Sequence, residues 1–221
     1  MFENFSEMMV QLLLEALWET IIMVGISGLL GAVFGVPLGV FLRLTDRGGI
    51  LPNPPLNAIV GGLVNAARST PFIILLVAII PFTRWVTGSS IGTWAAVVPL
   101  TVAVAPFMAR LVETALREVD AGLIEAAQAM GASTSQIVLK VLLPEAMPGI
   151  VAALTISLVS LTGYSAMAGA VGGGGLGDLG IRYGYQRFLP DVMLVVVLVL
   201  IVFVQIIQSL GDWLVRRISH R

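Results

Sequence analysis

Four stretches of this chain are long and apolar enough to cross a lipid bilayer, and this restricts its fold more than any other feature. They are Thr20–Leu42, Thr93–Leu116, Ile150–Met167 and Val192–Leu214, against the roughly 20 predominantly apolar residues that a spanning helix needs. One of them tolerates punctuation: Thr93–Leu116 holds Pro99, Pro106 and Arg110. A fifth stretch, about Asn57–Ile80, is interrupted by Arg68-Ser69-Thr70-Pro71. It counts as a span because Pro71–Ile80 alone is too short to cross. A backbone in hydrocarbon has no water to bond to, and an α-helix satisfies it internally. The expected fold is therefore an all-α integral membrane domain with five spans, at about 20–42, 57–80, 93–116, 150–167 and 192–214. An odd number of crossings puts the termini on opposite sides.

Composition narrows the function. Charged residues make up 11% of the chain, where soluble domains carry about 25%, and mean hydropathy is +0.99. A net charge of −1 offers no basic field for nucleic acid. With no cysteine and a lone histidine, His220, thiol chemistry is impossible and metal chemistry has almost no ligands. The first twenty residues contain Glu3, Glu7, Glu15 and Glu19 but no Lys or Arg, the opposite of a cleavable signal's positive start, so the N-terminus is expected to be retained. Glu3, Glu7, Gln11, Glu15 and Glu19 recur every four residues. Residues 1–16 thus read as an amphipathic segment at the outer interface, or as a contact with a neighbouring subunit.

Lys and Arg in short loops set orientation. With the N-terminus outside, the inner side holds Arg43, Arg47, Arg110, Arg117, Lys140, Arg216, Arg217 and Arg221, and the outer side Arg84, Arg182 and Arg187. The C-terminal 215–221 is then a basic cytoplasmic tail, and the loop at 117–148 is cytoplasmic.

That loop has a local grammar of its own. Asp120 can cap a short helix, and Gly131 can take the left-handed conformation that ends it. Ser133 with Gln136 matches a capping box, predicting a second helix to Leu143. Pro144 should stop that helix, lacking an amide donor and clashing with the preceding turn. Leu123, Ala127 and Met130 fall on one side of the first helix, an apolar face to bury. Arg110, Glu113 and Arg117 share one side of the third span's inner end, with Glu113 and Arg117 an i,i+4 pair in the favourable order. They read as a rigid stem for the loop.

Elsewhere, Ser27, Gly31, Gly35 and Gly39 recur every four residues and suit close helix packing, against a helix of this chain or another. Arg68 places a charge within a span, which marks a polar site by default; it either contacts substrate or snorkels to the cytoplasmic headgroups while Pro71 kinks the helix. Gly172-Gly173-Gly174-Gly175-Leu176-Gly177 literally matches the dinucleotide fingerprint, but no strand precedes it and no βαβ unit surrounds it. No Walker lysine motif occurs. The segment reads instead as an outer loop that uses glycine's backbone freedom.

Glu125-Ala126-Ala127, three residues, Gly131, nine residues, Val141 and then Leu142-Leu143-Pro144 resemble the coupling loop of ABC importer permeases. The resemblance runs from Trp18-Glu19-Thr20 to Gly211-Asp212. Ile80-Pro81-Phe82-Thr83-Arg84, Val98-Pro99-Leu100-Thr101, Ala105-Pro106-Phe107 and the segment Tyr164–Val171 with Leu176–Gly180 are similar to permease subunits of bacterial D/L-methionine ABC importers. Gly172–Gly175 is more glycine-rich than that family's pattern. The resemblance implies a homodimer in the bacterial inner membrane, with each copy presenting Glu125, Ala126, Ala127, Met130, Gly131, Leu143 and Pro144 to a cytoplasmic ATPase dimer. It implies an extracytoplasmic methionine-binding protein, ATP and Mg used by the ATPase alone, and no cofactor or chemistry in this chain. It also implies a path or gate near Tyr164, Ser165 and Met167, with Arg68, although Met167 equally suits plain packing in the bundle. The alternatives are another amino acid or small hydrophobic solute as cargo, or an ATP-independent secondary transporter or channel. The second would favour inverted repeats and paired intramembrane acids, but Glu113 is the only acid well within a span.

Overall fold

A computed structural model describes residues 7–219; it is built from helices, with no strand among the described residues. The helices are α1 (Glu7–Thr45), α2 (Pro54–Ser69), α3 (Phe72–Ala78), α4 (Ile80–Thr87), α5 (Thr93–Arg117), α6 (Ala121–Ala129), α7 (Thr134–Ile137), α8 (Leu143–Ala168), α9 (Gly175–Leu179) and α10 (Pro190–Ile218). Glu3, His220 and Arg221 lie outside the described residues.

Four helical segments are long and apolar enough to cross a membrane: α1, α5, the continuous run 134–173 containing α8, and α10. The expected span at 57–80 is broken. Its halves α2 and α3 meet at 103°, for a local reason. Thr70 precedes Pro71, whose ring pushes the preceding residue out of helical geometry, and Thr70 is extended at φ −81°, ψ 124°. The hydroxyls of Ser69 and Thr70 donate to the carbonyls of Asn65 and Ala66, covering acceptors that the helix end leaves free.

This broken segment still carries the chain from one end of the bundle to the other. α1 and α5 run parallel: Ser27 bonds to Val97, Gly35 lies on Ala105, Gly39 lies on Ala109, and Asp46 pairs with Arg117. A chain leaving α1 must recross to start α5 in the same direction, and only α2–α4 lie between. α8 then returns, with Gly149 against Ala115 and Leu158 against Gly28. α10 runs back again, with Gly180 beside Val196 and Gly211 beside Thr155. Five traverses result.

The small-residue stripe on α1 meets α5 of the same chain. A Cβ at Gly35 would stand 2.7 Å from the Ala105 carbonyl oxygen, and one at Gly39 2.6 Å from that of Ala109. Backbones can approach this closely only without side chains, which supplies packing energy where lipid gives no hydrophobic drive.

No boundary separates an N-terminal segment ending at 16 from a span starting near 20. α1 is unbroken for 39 residues, about 58 Å at helical rise against a hydrocarbon core of about 30 Å. Its early turns are held by Met9 and Ala16, packed with Leu176, Leu179, Val192 and Val196. α10 buries only Val192, Val196 and Gly211. Its exposed face, from Leu194 through Val197, Leu198, Ile201, Val202, Ile206 and Leu210, is aliphatic apart from Gln205 and Ser209 and suited to acyl chains.

Candidate functional site

The loop after α5 folds as its sequence dictates at both caps. Asp120 accepts the Gly122 amide at 2.7 Å and starts α6. At the other end Gly131 stands at φ +78°. The Ala132 amide donates to Ala127 and the Gly131 amide to Gln128, the paired bonds that close a helix through a left-handed residue. Ser133 then begins α7 with its capping box complete: its amide donates to Gln136 Oε1 at 2.8 Å, and its hydroxyl accepts the Gln136 amide.

Two expectations are corrected here. The second helix does not stop at Pro144. A π-helical turn, Val138–Leu142, joins α7 to α8, and the Leu143 amide reaches back five residues to Val138. The widened turn displaces the carbonyl that the proline ring would strike and needs no donor from it. The loop's second helix is therefore an N-terminal extension of the long helix α8. The buried face of α6 is also different, being Ile124 and Ala127. Leu123 remains 44% exposed and Met130 81% exposed, because the core that α6 meets lies one residue further round the helix than the expected stripe.

That core contains Leu116, Val119, Ile124, Ala127, Ile137, Leu142, Ala146 and Ile150, so α6 and α7 are packed onto the ends of α5 and α8. Glu125, Ala126, Met130, Gly131 and Pro144 face outward, Leu143 is half-buried and Ala127 is buried. With Leu123 and Leu139, the outward residues form a mostly apolar knob carrying one carboxylate.

Beneath the knob sits an ion network whose reach the sequence did not reveal. Glu113 is buried, and its oxygens accept from Arg110 Nη1 and Arg117 Nη2, each at 2.7 Å. Arg117 continues to Asp46 at 3.0 Å, beyond α1. Arg110 also donates to the Gly61 carbonyl at 2.9 Å and to Asn65 Oδ1 at 3.1 Å, both on α2. The stem thus ties α5 to the end of α1 and to the half-span that carries Arg68. Asn65, a polar residue in an apolar run, was the available signal.

Of the expected path residues, the structure brings two together. Arg68 and Tyr164 line one cavity of about 160 Å³ with Thr70, Phe72, Leu75, Ala103 and Phe107. The Arg68 guanidinium lies 5.8 Å from the centre of the Phe107 ring, and Tyr164 stacks on Phe72 at 5.0 Å. Ser165 is buried and donates to the Thr162 carbonyl. Met167 lines a different groove, with Gly177, Ile181, Met193 and Val197, between α8 and α10.

At the far end of α8 the chain doubles back through a kink at Gly169–Gly173, where Val171 and Gly172 leave helical geometry, into α9. Gly172 and Gly174 stand at φ +95° and +78°, backbone that side chains oppose. α1 anchors the fold-back: Glu19 accepts the Gly175 amide at 2.6 Å, and Thr20 Oγ1 accepts that of Leu176 at 2.9 Å. The glycine run is thus a structural hairpin in a membrane bundle, without the surroundings of a dinucleotide site. The described residues contain no cluster of three or more potential metal ligands.

Comparison with known proteins agrees with this architecture. A probable D-methionine transport system permease protein, MetI, of Vibrio cholerae serotype O1 is 58% identical over 210 residues, 95% of this chain and 93% of that protein. The D-methionine transport system permease protein MetI of Escherichia coli K12 is 57% identical over 164 residues, 74% of this chain and 76% of that one. Among solved structures, a chain of the MetNI methionine ABC transporter in an inward-facing conformation superposes with a TM-score of 0.96 at 54% identity, covering 98% of this chain and 100% of that one. An amino acid ABC transporter crystallised with histidines shares the fold, with a TM-score of 0.76 at 18% identity and 94% coverage of each chain. A model of the binding-protein-dependent transport system inner membrane component matches residues 35–220, and the chain belongs to that family.

Proposed function

We propose that this chain is the permease subunit of an ATP-driven methionine importer and works as a homodimer in the inner membrane. Its exposed knob docks each copy on one subunit of a cytoplasmic ATPase dimer, and an extracytoplasmic binding protein delivers methionine. The observation that carries the reading is the fusion of the knob to the membrane helices: α7 continues into α8 through the π-helical turn, and α6 shares the buried core of α5 and α8. Movement of an attached partner therefore turns two spans directly. ATP and Mg are consumed by the ATPase, and this chain supplies the path and the lever.

Charge supports the direction. The end of the bundle bearing the knob carries Arg43, Arg47, Arg117, Lys140, Arg216 and Arg217, whereas the glycine-rich end carries Arg84, Arg182 and Arg187. The knob is thus cytoplasmic. Methionine as cargo rests on the similarity to the MetI proteins and the MetNI transporter.

The path runs beside the break in the second span, where Arg68, Ser69 and Thr70 interrupt an otherwise aliphatic surface that lipid could cover. Tyr164 on α8 faces that path and takes part in closing it, whereas Met167 borders the separate groove toward α10.

Glu125→Lys and Gly131→Pro test the docking. Glu125 touches no other side chain by hydrogen bond or ion pair among the described residues, so a reversed charge acts on the partner, where like charges cost several kcal/mol. Proline at Gly131 cannot adopt positive φ and loses the amide bond to Gln128. Both variants should insert normally, lose ATPase co-purification, and lose methionine-stimulated ATP hydrolysis in proteoliposomes with the binding protein. Wild-type coupling in both would remove the docking assignment. For direction, Ser133→Cys in this cysteine-free chain should resist an impermeant outside reagent, and labelling would invert the topology.

A further inference from the structure

We infer that the cavity at the break between α2 and α3 is a binding site for a free amino acid, with Arg68 as the anchor for its α-carboxylate and the Phe72–Tyr164–Phe107 ring cluster as the pocket for an apolar side chain. The inference rests on the importer reading and adds a place and an orientation for the cargo.

Depth is the first observation. Arg68 lies against Phe107, which is ten residues from Arg117 and fourteen from Thr93 on α5. At helical rise that is about 15 Å from one end of the span and about 21 Å from the other. The guanidinium is near mid-span, too deep for ready snorkelling to a headgroup. A charge held at that depth is costly unless it is paired or lines a polar path.

Pairing is the second observation. The nearby arginines of the α5 stem have a carboxylate: Arg110 and Arg117 share Glu113. Arg68 is exposed and has no hydrogen-bond or ion-pair partner among the described residues, and its guanidinium faces the Phe107 ring. Its fork of donors matches a carboxylate in a bidentate pair.

Size and lining identify the rest of the ligand. The cavity, about 160 Å³, is on the scale of the roughly 150 Å³ apolar cavity that holds one benzene ring. It suits one small solute and excludes a peptide or sugar chain. Apart from Arg68 and Thr70, its walls are Ala67, Phe72, Leu75, Ala103, Phe107 and Tyr164. A thioether packs favourably beside aromatic rings. The break itself supplies access, because the 103° bend leaves Arg68 and Thr70 at a corner instead of inside a continuous helix wall. Discontinuous spans in other transporters likewise hold their substrates near the bilayer midplane.

The test uses the permease–ATPase complex in detergent, without the binding protein, and a photoactivatable methionine analogue with a diazirine in place of the thioether. On irradiation the label should fall on peptides containing Phe72, Phe107 or Tyr164. Free methionine should compete, whereas methioninamide, which lacks the carboxylate, should compete at least tenfold less well. Arg68→Gln should lower labelling about tenfold to a hundredfold, the range for a lost charge-assisted bond, and Arg68→Lys should recover part of it. Phe107→Leu keeps the bulk and should weaken labelling while leaving the preference for the carboxylate intact. Label concentrated elsewhere, equal competition by methioninamide, or wild-type labelling of Arg68→Gln would overturn the site. If the wild-type complex, reconstituted in proteoliposomes, takes up methionine when given its binding protein, the importer reading survives. If it takes up none, the reading beneath the site falls as well.

Discussion

The two ends of α8 are built on opposite principles. Each passes through an irregular turn, π-helical over Val138–Leu142 at the knob end and a kink within Gly169–Gly173 at the other. At the knob end the turn is surrounded by side chains: a contiguous aliphatic core, two completed helix caps and a carboxylate shared by two arginines. At the glycine end backbone packs directly on backbone, with Gly177 lying on Ala166 and Gly169 on Asp178 and Gly174, and the Glu19 and Thr20 side chains add only two bonds to backbone amides. Side-chain packing can shift in small steps, because rotamers and exposed charges can adjust. Backbone packing of this kind has no slack. One end of the helix is therefore suited to receive a push, and the other to convert it into movement of a rigid hairpin against α1 and α10.

The comparison breaks most sharply at Gly177. A Cβ there would stand 2.5 Å from Ala166 Cα and 2.7 Å from its carbonyl carbon, and no flexible side-chain end can yield. Gly177→Val should destabilise by more than about 4 kcal/mol, in the exceptional class for a single substitution, and abolish recovery of a monodisperse complex. Normal yield and melting would mean the hairpin is not held by backbone contact. Second in size is Glu113→Leu. Orphaning a buried charge costs about 3–5 kcal/mol, and the lower figure is expected here because Arg117 is half-exposed and can turn to water. The melting temperature of the detergent-solubilised complex should fall, and a change near zero would show that Arg110 and Arg117 are satisfied without Glu113.

Legibility in the sequence follows the same division. The knob was readable because its signals are local: Asp120, Gly131, Ser133 and Gln136 each act within three or four residues, and the structure realises both caps. The long apolar runs gave the helices for the same reason. What the sequence did not reveal depends on partners far along the chain. The Glu19 bond to Gly175 spans 156 residues and the Arg110 bond to Asn65 spans 45, and no periodicity encodes either. Pro144 misled because the rule that proline ends a helix assumes regular α geometry, which the π-helical turn escapes. Leu123 and Met130 misled because an apolar stripe indicates a sticky face without saying whether this chain or a partner covers it. Arg68 was readable as a charge within a span, and Tyr164 only through the family resemblance. Their shared cavity with Phe72 and Phe107 depends on the size of a bend that Pro71 permits but does not set.

At the knob end, single caps should cost far less than Gly177 or Glu113. Gly131→Ala meets nothing within 4 Å, so its cost is only the left-handed backbone, about 1–2 kcal/mol. Ser133→Ala removes one cap, typically about 1 kcal/mol. Both variants should retain assembly while protease cuts the 128–134 segment faster. A loss as large as that of Gly177→Val would mean that the knob is as unyielding as the hairpin.

The smallest effect should come from Asp46→Asn, and it tests whether the ion network acts as a unit. Asp46 and Arg117 meet at 3.0 Å with side chains 31% and 52% exposed, where an ion pair is screened and worth about 0–1 kcal/mol. Asparagine also keeps an oxygen for the Arg47 amide that Asp46 Oδ1 now accepts. Melting should shift by a degree or two at low salt and by less at high salt. The double variant with Glu113→Leu is more informative. If Arg117 turns toward Asp46 once Glu113 is gone, the aspartate matters more in that background, and the two losses should exceed their sum by about 0.5 kcal/mol or more. Strict additivity would make Asp46 a bystander, and the tie between the α1 corner and the α5 stem would then reside in apolar packing alone.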